Sequence, residues 1–576
     1  MNTELLGVLA IFLLTLAVAW PMGRYIARVY SGERTWTDPV FGPMERLFFR
    51  VSGIDPNREM TWVEHLKALL TINFVWFLVS MFVLMNMAWL PLNPDGNPSM
   101  SPDLAFNTTI SFVVNCNLQH YSGESGLSYL GQIWLMFLQF VSAATGMAAA
   151  AVLFNALKTR TSPLQGLGAG SRASVGLGNF YNYFLKSSTR ILLPLSILVT
   201  ILLMLNGSPM TFEGKDTIVG LQGDTVQVSR GPVAAFVAIK HLGTNGGGFY
   251  GANSAHPLEN PNYLTSLLEL FAQFIIPAAM VFAFGFYLRR RKLALMIFAV
   301  MTIGFLMLVI PNIVSEMKGN PAISAMGVDQ SLGAMEGKEI RFGAAMSGYW
   351  SILTTVISTG SVNAMHDSTM PLSGMNELLA MMVNAFYGGC GVGILNFFIY
   401  LIIAVFIAGL MVGRTPEFLG KKVEAREVKI AMITALLSPL LIMGGTAMAS
   451  WMTVQDPNLP WLNNPGYHGF SEMLYEMTSS NANNGSGFEG LGDNNPFWNI
   501  STGIILILGR FIPIIGPVAI AGLLASKKYI PESAGTLKTD TSTFGVMIFC
   551  VIAIITALSY FPALALGPIA EYFSMR

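Results

Sequence analysis

The sequence predicts an all-α polytopic membrane protein of ten transmembrane helices: four membrane-pore-membrane repeats with pseudo-fourfold symmetry, plus one extra helix at each end. Three observations predict it. Of 576 residues, 53% are hydrophobic and 11% charged, where a soluble domain carries roughly 25% charged residues. Ten apolar stretches are long enough, or nearly so, to cross the hydrocarbon core of a bilayer: 5–22, 69–90, 129–157, 191–205, 264–288, 293–313, 378–412, 430–452, 497–524 and 544–566. Finally, the short polar motifs Asn115-Cys-Asn117, Thr244-Asn-Gly246, Ser358-Thr-Gly360 and Asn483-Asn-Gly485 recur with 129, 114 and 125 residues between their third members, as one unit used four times would.

In chain order, residues 1–68 hold the first helix and a long connection, and 541–576 hold the last helix. Between them lie repeat 1 (69–190), repeat 2 (191–292), repeat 3 (293–429) and repeat 4 (430–540). The first apolar stretch has no small-residue cleavage site after it and reads as a retained helix. Residues 207–230, with glycine turns and alternating Thr225-Val-Gln-Val-Ser229, predict a small hairpin, and 315–345 suggests a similar cap.

Basic residues set the orientation. The connection after the first span, and every second one thereafter, together hold 24 of them, including Arg24, Arg28, Arg160, Arg172, Arg190, Arg289 to Lys292 and Lys527. The other side has seven: Lys215, Arg230, Lys240, Lys318, Lys338, Arg341 and Arg576. By the positive-inside rule the richer side is cytoplasmic, so both termini and all four polar motifs face out.

Each outer connection also carries a helix-like piece too short to span, at about 101–113, 231–242, 346–357 and 468–478. A re-entrant piece of this kind survives at membrane depth only where protein or water covers its backbone. Its negative dipole end would point at the motif that follows, which favours a cation. The motifs are short, polar and mostly glycine-ended, which suits carbonyl oxygens replacing the hydration shell of an ion. The first repeat departs from this, with Asn117 where the others have Gly246, Gly360 and Gly485. The residues alone therefore predict a cation pore in one polypeptide, with a filter of Asn115, Cys116, Asn117, Thr244, Asn245, Gly246, Ser358, Thr359, Gly360, Asn483, Asn484 and Gly485.

Other chemistries find no support. Formal net charge is zero, so no basic body invites nucleic acid. Cys116, Cys390 and Cys550 lack metal or disulfide spacing. No Asp-Lys-Thr-Gly phosphorylation sequence and no GxxxxGK[ST] loop occurs, so ATP hydrolysis and organic cofactors are not expected of this chain. His120, His241, His256, His366 and His468 flank the motifs and are expected to brace the outer mouth by hydrogen bonds, since no converging ligand set is visible.

Two features lie deeper. Arg510 is the one charge deep in an apolar span, and such an arginine faces a watery path, a carboxylate or the membrane edge. The stretch 378–412 is too long for one straight helix and contains Gly388, Gly389, Gly391 and Gly393. These glycines predict either a loop that closes the route beneath the filter or close helix packing. Arg414 follows, placed to anchor such a loop or to meet a partner.

At Gly243-Thr-Asn-Gly-Gly-Gly-Phe-Tyr-Gly-Ala-Asn-Ser-Ala-His-Pro-Leu-Glu-Asn-Pro261 the chain closely resembles KdpA, the potassium-binding, channel-like subunit family of the bacterial Kdp potassium-transporting ATPase. Tyr121-Ser-Gly-Glu-Ser125, Val362-Asn-Ala-Met-His-Asp367, Gly413-Arg-Thr-Pro-Glu-Phe-Leu-Gly-Lys-Lys422 and Ser479-Ser-Asn-Ala-Asn-Asn-Gly-Ser486 extend the resemblance in order along nearly the whole chain. The resemblance implies a fold of the superfamily of potassium transporters and potassium as the transported ion. It also implies an inner-membrane complex with the P-type ATPase subunit KdpB, with KdpC and with the small KdpF. It further implies an affinity role for Gln119 and a place for Arg510 near a tunnel toward KdpB. A stand-alone channel, or gradient-driven uptake on the same architecture, is the competing reading.

Overall fold

The computed structural model describes residues 3–158, 176–411, 413–531 and 538–575. Of the basic residues used for orientation, Arg160, Arg172 and Arg576 lie outside them. Among the described residues, ten helices are long and apolar enough to cross a membrane: Thr3–Ser31, Trp62–Asn86, Tyr129–Leu157, Phe180–Leu205, Tyr263–Leu288, Arg291–Ala325, Val392–Met411, Ala425–Gln455, Pro496–Ala525 and Ser542–Ser574. The third and fifth are almost wholly enclosed by protein, whereas the first, second and eighth expose rows such as Leu13, Phe74, Leu78 and Leu440. An apolar surface of that extent is stable only against lipid.

Two spans differ from the sequence expectation. The sequence predicts the fourth over 191–205, with Lys186 and Arg190 in the connection, but the helix begins at Phe180 and carries both. Arg190 is buried there because Glu45 takes its Nη2 at 2.5 Å and its Nε at 2.6 Å, while Asp38 takes Nη1. A charge neutralised on two sides no longer ends an apolar segment. The seventh stretch, 378–412, is two helices, Pro371–Val383 and Val392–Met411, with a loop of residues 384–391 between them. Asn384, Tyr387, Gly388 and Gly391 in that loop all have positive φ, which no α-helix accommodates. The glycines therefore serve a chain break.

Four shorter helices stand where re-entrant pieces were expected: Pro102–Val113, Val233–Leu242, Gly343–Val356 and Tyr467–Ala482. The hairpin in 207–230 is present as antiparallel strands Asp216–Val219 and Thr225–Val228. The segment 315–345 is not a similar cap. The sixth span runs into it, ending in the short turn of helix Pro321–Ala325, and it is pinned by the fully buried pair Lys338 Nζ–Glu316 Oε2 at 2.8 Å, a tertiary tie with no local pattern to betray it.

The connections sort onto two faces. On one, the Met60 N–H donates to the Gly178 carbonyl at 2.8 Å, and Lys527 Nζ pairs with Glu427 at 2.8 Å. Arg24 and Arg28 there line a cavity together with Arg289 to Lys292. On the other, Asp95 accepts from the Lys215 N–H at 2.8 Å, and both chain ends come to the short helices: Glu4 accepts from the Ala345 N–H at 3.0 Å, and Glu571 meets His468 at 2.8 Å. The two termini thus share the face that bears the polar motifs.

Candidate functional site

Each short helix ends in the motif that follows it, and the four ends are built alike. The first residue of every motif leaves the helix at positive φ: Asn115 at 66°, Thr244 at 48°, Ser358 at 50° and Asn483 at 51°. The third does so again: Asn117 at 58°, Gly246 at 87°, Gly360 at 81° and Gly485 at 104°. Between them, the second residue's N–H folds back onto the helix carbonyl five positions earlier: Cys116 to Ser111, Asn245 to Lys240, Thr359 to Thr354 and Asn484 to Ser479, at 2.8–2.9 Å. With that N–H tied inward, the following carbonyls are free of helical bonding.

The four motifs meet in a closed ring. A Cβ placed on Gly246 would lie 1.6 Å from the Thr359 carbonyl oxygen, and one on Gly360 would lie 2.1 Å from that of Asn484. One on Gly485 would lie 2.1 Å from the Cys116 carbonyl oxygen. Repeat 2 thus touches 3, 3 touches 4 and 4 touches 1, each through the third residue of one motif and the second carbonyl of the next. The remaining junction, between repeats 1 and 2, is where Asn117 replaces glycine. There Gly247 makes the space, since a Cβ on it would come within 2.8 Å of the Asn117 Cβ. The glycine absent from motif 1 is compensated by an extra one in motif 2.

Polar side chains hold this ring. Asn115 Nδ2 donates to the Thr244 carbonyl at 2.9 Å, and its Oδ1 accepts from Asn245 Nδ2 at 2.6 Å and from Ser142 Oγ at 2.9 Å. Asn484 Nδ2 donates to the Thr354 carbonyl at 2.8 Å, and Asn483 Nδ2 to that of Leu506 at 3.2 Å. Gln119 clamps the backbone of motif 2, donating to the Gly248 carbonyl at 3.0 Å and accepting its N–H at 2.8 Å. Asn117 is different: its amide oxygen and nitrogen are buried and have no hydrogen-bond partner among the described residues.

The loop 384–391 lies against the base of this ring. The Cys390 N–H donates to Thr244 Oγ1 at 2.9 Å, its Sγ to the Leu242 carbonyl at 3.2 Å, and Ser358 Oγ to Asn384 Oδ1 at 2.8 Å. Gly389 faces Thr244 and Ser358, Gly391 packs on the Gly146 carbonyl, and Gly388 and Gly393 pack on each other. Arg510 is close by and 4% exposed, so it does not reach the membrane edge. Its Nη2 donates to the Ser142 carbonyl at 3.3 Å, and no carboxylate among the described residues pairs with it. A cavity of about 40 Å³ opens beside Asn384, Asn396, Ser438, Asn481 and Gly509.

Two expectations fail on geometry. Arg414 cannot anchor the loop: it is exposed beyond the far end of Val392–Met411, a helix of 20 residues and so about 30 Å long. The histidines do more than brace. His241 bridges the Val237 carbonyl and Ser361 Oγ, and His366 meets Tyr475, as bracing requires. His120, however, converges with Glu476 and Asp493, and His468 with Asp367 and Glu472, in groups whose ligand atoms lie within 4.8 Å of one another. These partners are separated by 100 residues or more along the chain for Asp367–His468 and His120–Glu476, so no spacing could reveal them. Burial opposes the charge of His468, but Asp367 and Glu571 outweigh it and raise the imidazole to about 10.

Sequence reasoning also missed Asn253, which donates to the Gly246 carbonyl at 2.7 Å and is itself held by Lys240. Lys240 is fully buried and paired with Glu259. A lysine within the apolar run Val233–Leu242 was the available signal.

The family model described as KdpA: Potassium-transporting ATPase A subunit matches residues 9–573. Two relatives, each named potassium-transporting ATPase potassium-binding subunit, come from Flavobacterium psychrophilum (67% identical) and Flavobacterium johnsoniae (68% identical), with 100% of both chains covered. One of the same name from Geobacillus kaustophilus is 46% identical over 98% of both. The solved potassium transporter TrkH from Vibrio parahaemolyticus superposes with a TM-score of 0.49 at 14% identity, over 89% of this chain and 98% of that one. By the match along nearly its whole length, this chain belongs to the KdpA family of potassium-transporting ATPase A subunits.

Proposed function

We propose that the chain is the potassium-selecting subunit of an ATP-driven importer, taking potassium from outside and passing it to a P-type ATPase subunit, KdpB, in a complex with KdpC and KdpF. The carrying observation is the closed ring of four motifs, 117 to 247, 246 to 359, 360 to 484 and 485 to 116. Main-chain oxygens of such a ring replace the water of a dehydrated cation. The helices behind it direct four negative dipole ends at the same point. The unpartnered Asn117 amide, buried at the ring, is available to an ion or to the water that accompanies it. The names of the relatives supply the identity of the ion, and the ring supports a division into four repeats whose edges are those of the spans at Trp62, Phe180, Arg291 and Ala425 rather than 69, 191, 293 and 430.

Loop 384–391 supports handover over free conduction. It covers the base of the ring with backbone held by Thr244, Leu242 and Ser358, so a straight path to the other face is closed. Ions then leave sideways, past Arg510 and the small cavity at Asn384, in keeping with a partner that receives them. Arg414 and the basic face around it are placed for a cytoplasmic contact, and the excess of basic residues on that face supports a ring and both termini that face out of the bacterial inner membrane.

The experiment is co-purification combined with uptake. A P-type ATPase subunit should accompany the chain, and potassium uptake should cease when ATP is removed while the membrane potential is maintained. Uptake that continues under potential alone would favour a channel.

A further inference from the structure

Outside the ring, the buried group of His120, Glu476 and Asp493 has a geometry that bracing alone does not require. His120 follows Asn117 by three residues, and Glu476 stands on the fourth short helix, so the group spans the junction where Cys116 meets Gly485. Its tautomer can be read from its neighbours. Asn499 Nδ2 donates to Asp103 Oδ2 at 2.8 Å, and since a carboxylate only accepts, the Asn499 oxygen is the atom turned to His120 Nδ1 at 2.6 Å. The Nδ1 position therefore carries hydrogen, and Nε2 is aimed at Glu476 Oε1 at 3.1 Å and Asp493 Oδ2 at 3.8 Å. A bare nitrogen lone pair between two carboxylates is repulsive. A cation has to stand there, either a proton on Nε2 or a metal ion.

The spacing suits a metal. Zinc binds nitrogen and oxygen at about 2.0–2.2 Å, which sets tetrahedral ligand atoms roughly 3.3 Å apart. The two distances from Nε2 bracket that value. Imidazole nitrogen with two carboxylate oxygens is a donor set that zinc accepts, leaving one position for water. The Asn499 contact supplies the outer hydrogen bond that metal-bound histidines ordinarily have. His120 is 3% and Glu476 2% exposed, while the Asp493 side chain is 28% exposed and provides the opening to solvent. The other candidate, Asp367, His468 and Glu472, is less suited: His468 has a carboxylate on each nitrogen, and an imidazolium alone satisfies both.

We propose that His120 Nε2, Glu476 Oε1 and Asp493 Oδ2 form a site for a zinc-class divalent cation that ties repeat 1 to repeat 4 on the face bearing the ring. Entry of the ion displaces the Nε2 proton to solvent, and no other bond changes.

The test uses the full chain in its purified complex, stripped with chelator and titrated with zinc or cobalt(II). One tight ion per chain is expected, with the visible absorption of tetrahedral cobalt(II) and with X-ray absorption reporting a single imidazole plus oxygen ligands. Asp493→Asn and Glu476→Gln should each weaken binding on the order of 100-fold, and His468→Gln should leave it intact. Absence of stoichiometric binding to the wild-type complex, an X-ray absorption spectrum without imidazole, or loss of the ion in His468→Gln alone would overturn the assignment.

Discussion

The Thr359 carbonyl oxygen occupies the space beside Gly246 so closely that a Cβ on that glycine would stand 1.6 Å from it. Gly246 also has φ of 87°, a region that residues with a Cβ adopt at a cost of roughly 1–2 kcal/mol. Gly246→Ser or Gly246→Asp should therefore push motifs 2 and 3 apart and enlarge the ring on one side. Discrimination between potassium and other alkali cations should fall roughly tenfold, the factor that 1.4 kcal/mol represents. Competition uptake with sodium and rubidium measures it, and unchanged selectivity would count against a filter at this ring.

Gln119 acts on the ring through Gly248. Each neutral hydrogen bond contributes about 1 kcal/mol, and Gln119→Ala removes both bonds to that backbone. The half-saturating potassium concentration should rise about tenfold or more, with maximal uptake changed much less. Gln119→Glu keeps an acceptor for the Gly248 N–H but faces the Gly248 carbonyl with an oxygen, and should be at least as impaired.

Arg510 sits behind the ring and donates to the Ser142 backbone carbonyl. Its charge, with no carboxylate among the described residues paired to it, repels a cation that strays into the space next to loop 384–391. Arg510→Ala should uncouple ATP turnover from potassium uptake in the complex, while Arg510→Lys, which keeps the charge, should retain most of the coupling. A normal ratio of ions moved to ATP consumed in Arg510→Ala would remove this role.

His468 predicts a pH dependence on the face that bears the ring. Its folded-state pKa is raised, to about 10, above about 6.5 for a free imidazole. A raised histidine contributes its full stabilisation below the unfolded value and loses it as pH climbs through the folded one. The thermal midpoint of the wild-type complex should thus decline by a few degrees between about pH 6.5 and 10. That decline should be smaller in His468→Gln or Asp367→Asn. An identical slope in both variants would place the titrating group elsewhere.

The four-repeat plan was legible because burial in lipid demands long apolar runs and because the short helices are too short to cross. Ten spans and four re-entrant helices follow from that alone. Arg190 misled the boundary of the fourth span because its neutralisers, Asp38 and Glu45, are some 150 residues away, and ion pairing across such distance leaves no periodic trace. The ring residues were legible as motifs, since Asn115, Thr244, Ser358 and Asn483 all precede a turn that only small or polar residues make readily. Their closure was not: that Gly247 yields to Asn117, or that Glu476 and Asp493 meet His120, depends on which repeat stands beside which. Arg414 illustrates the reverse case, a residue near the loop in sequence that one helix length carries to the opposite face.

Potassium should bind on the axis of the ring formed by motifs 1 to 4. Anomalous diffraction or cryo-electron microscopy of the complex, with thallium or rubidium exchanged for potassium, tests it most directly. Ion density should be encircled by the main-chain oxygens of Cys116, Thr359, Asn484 and their counterpart Asn245, and excess potassium should displace it. Ion density confined to another part of the chain, with that ring empty in an actively transporting complex, would contradict it.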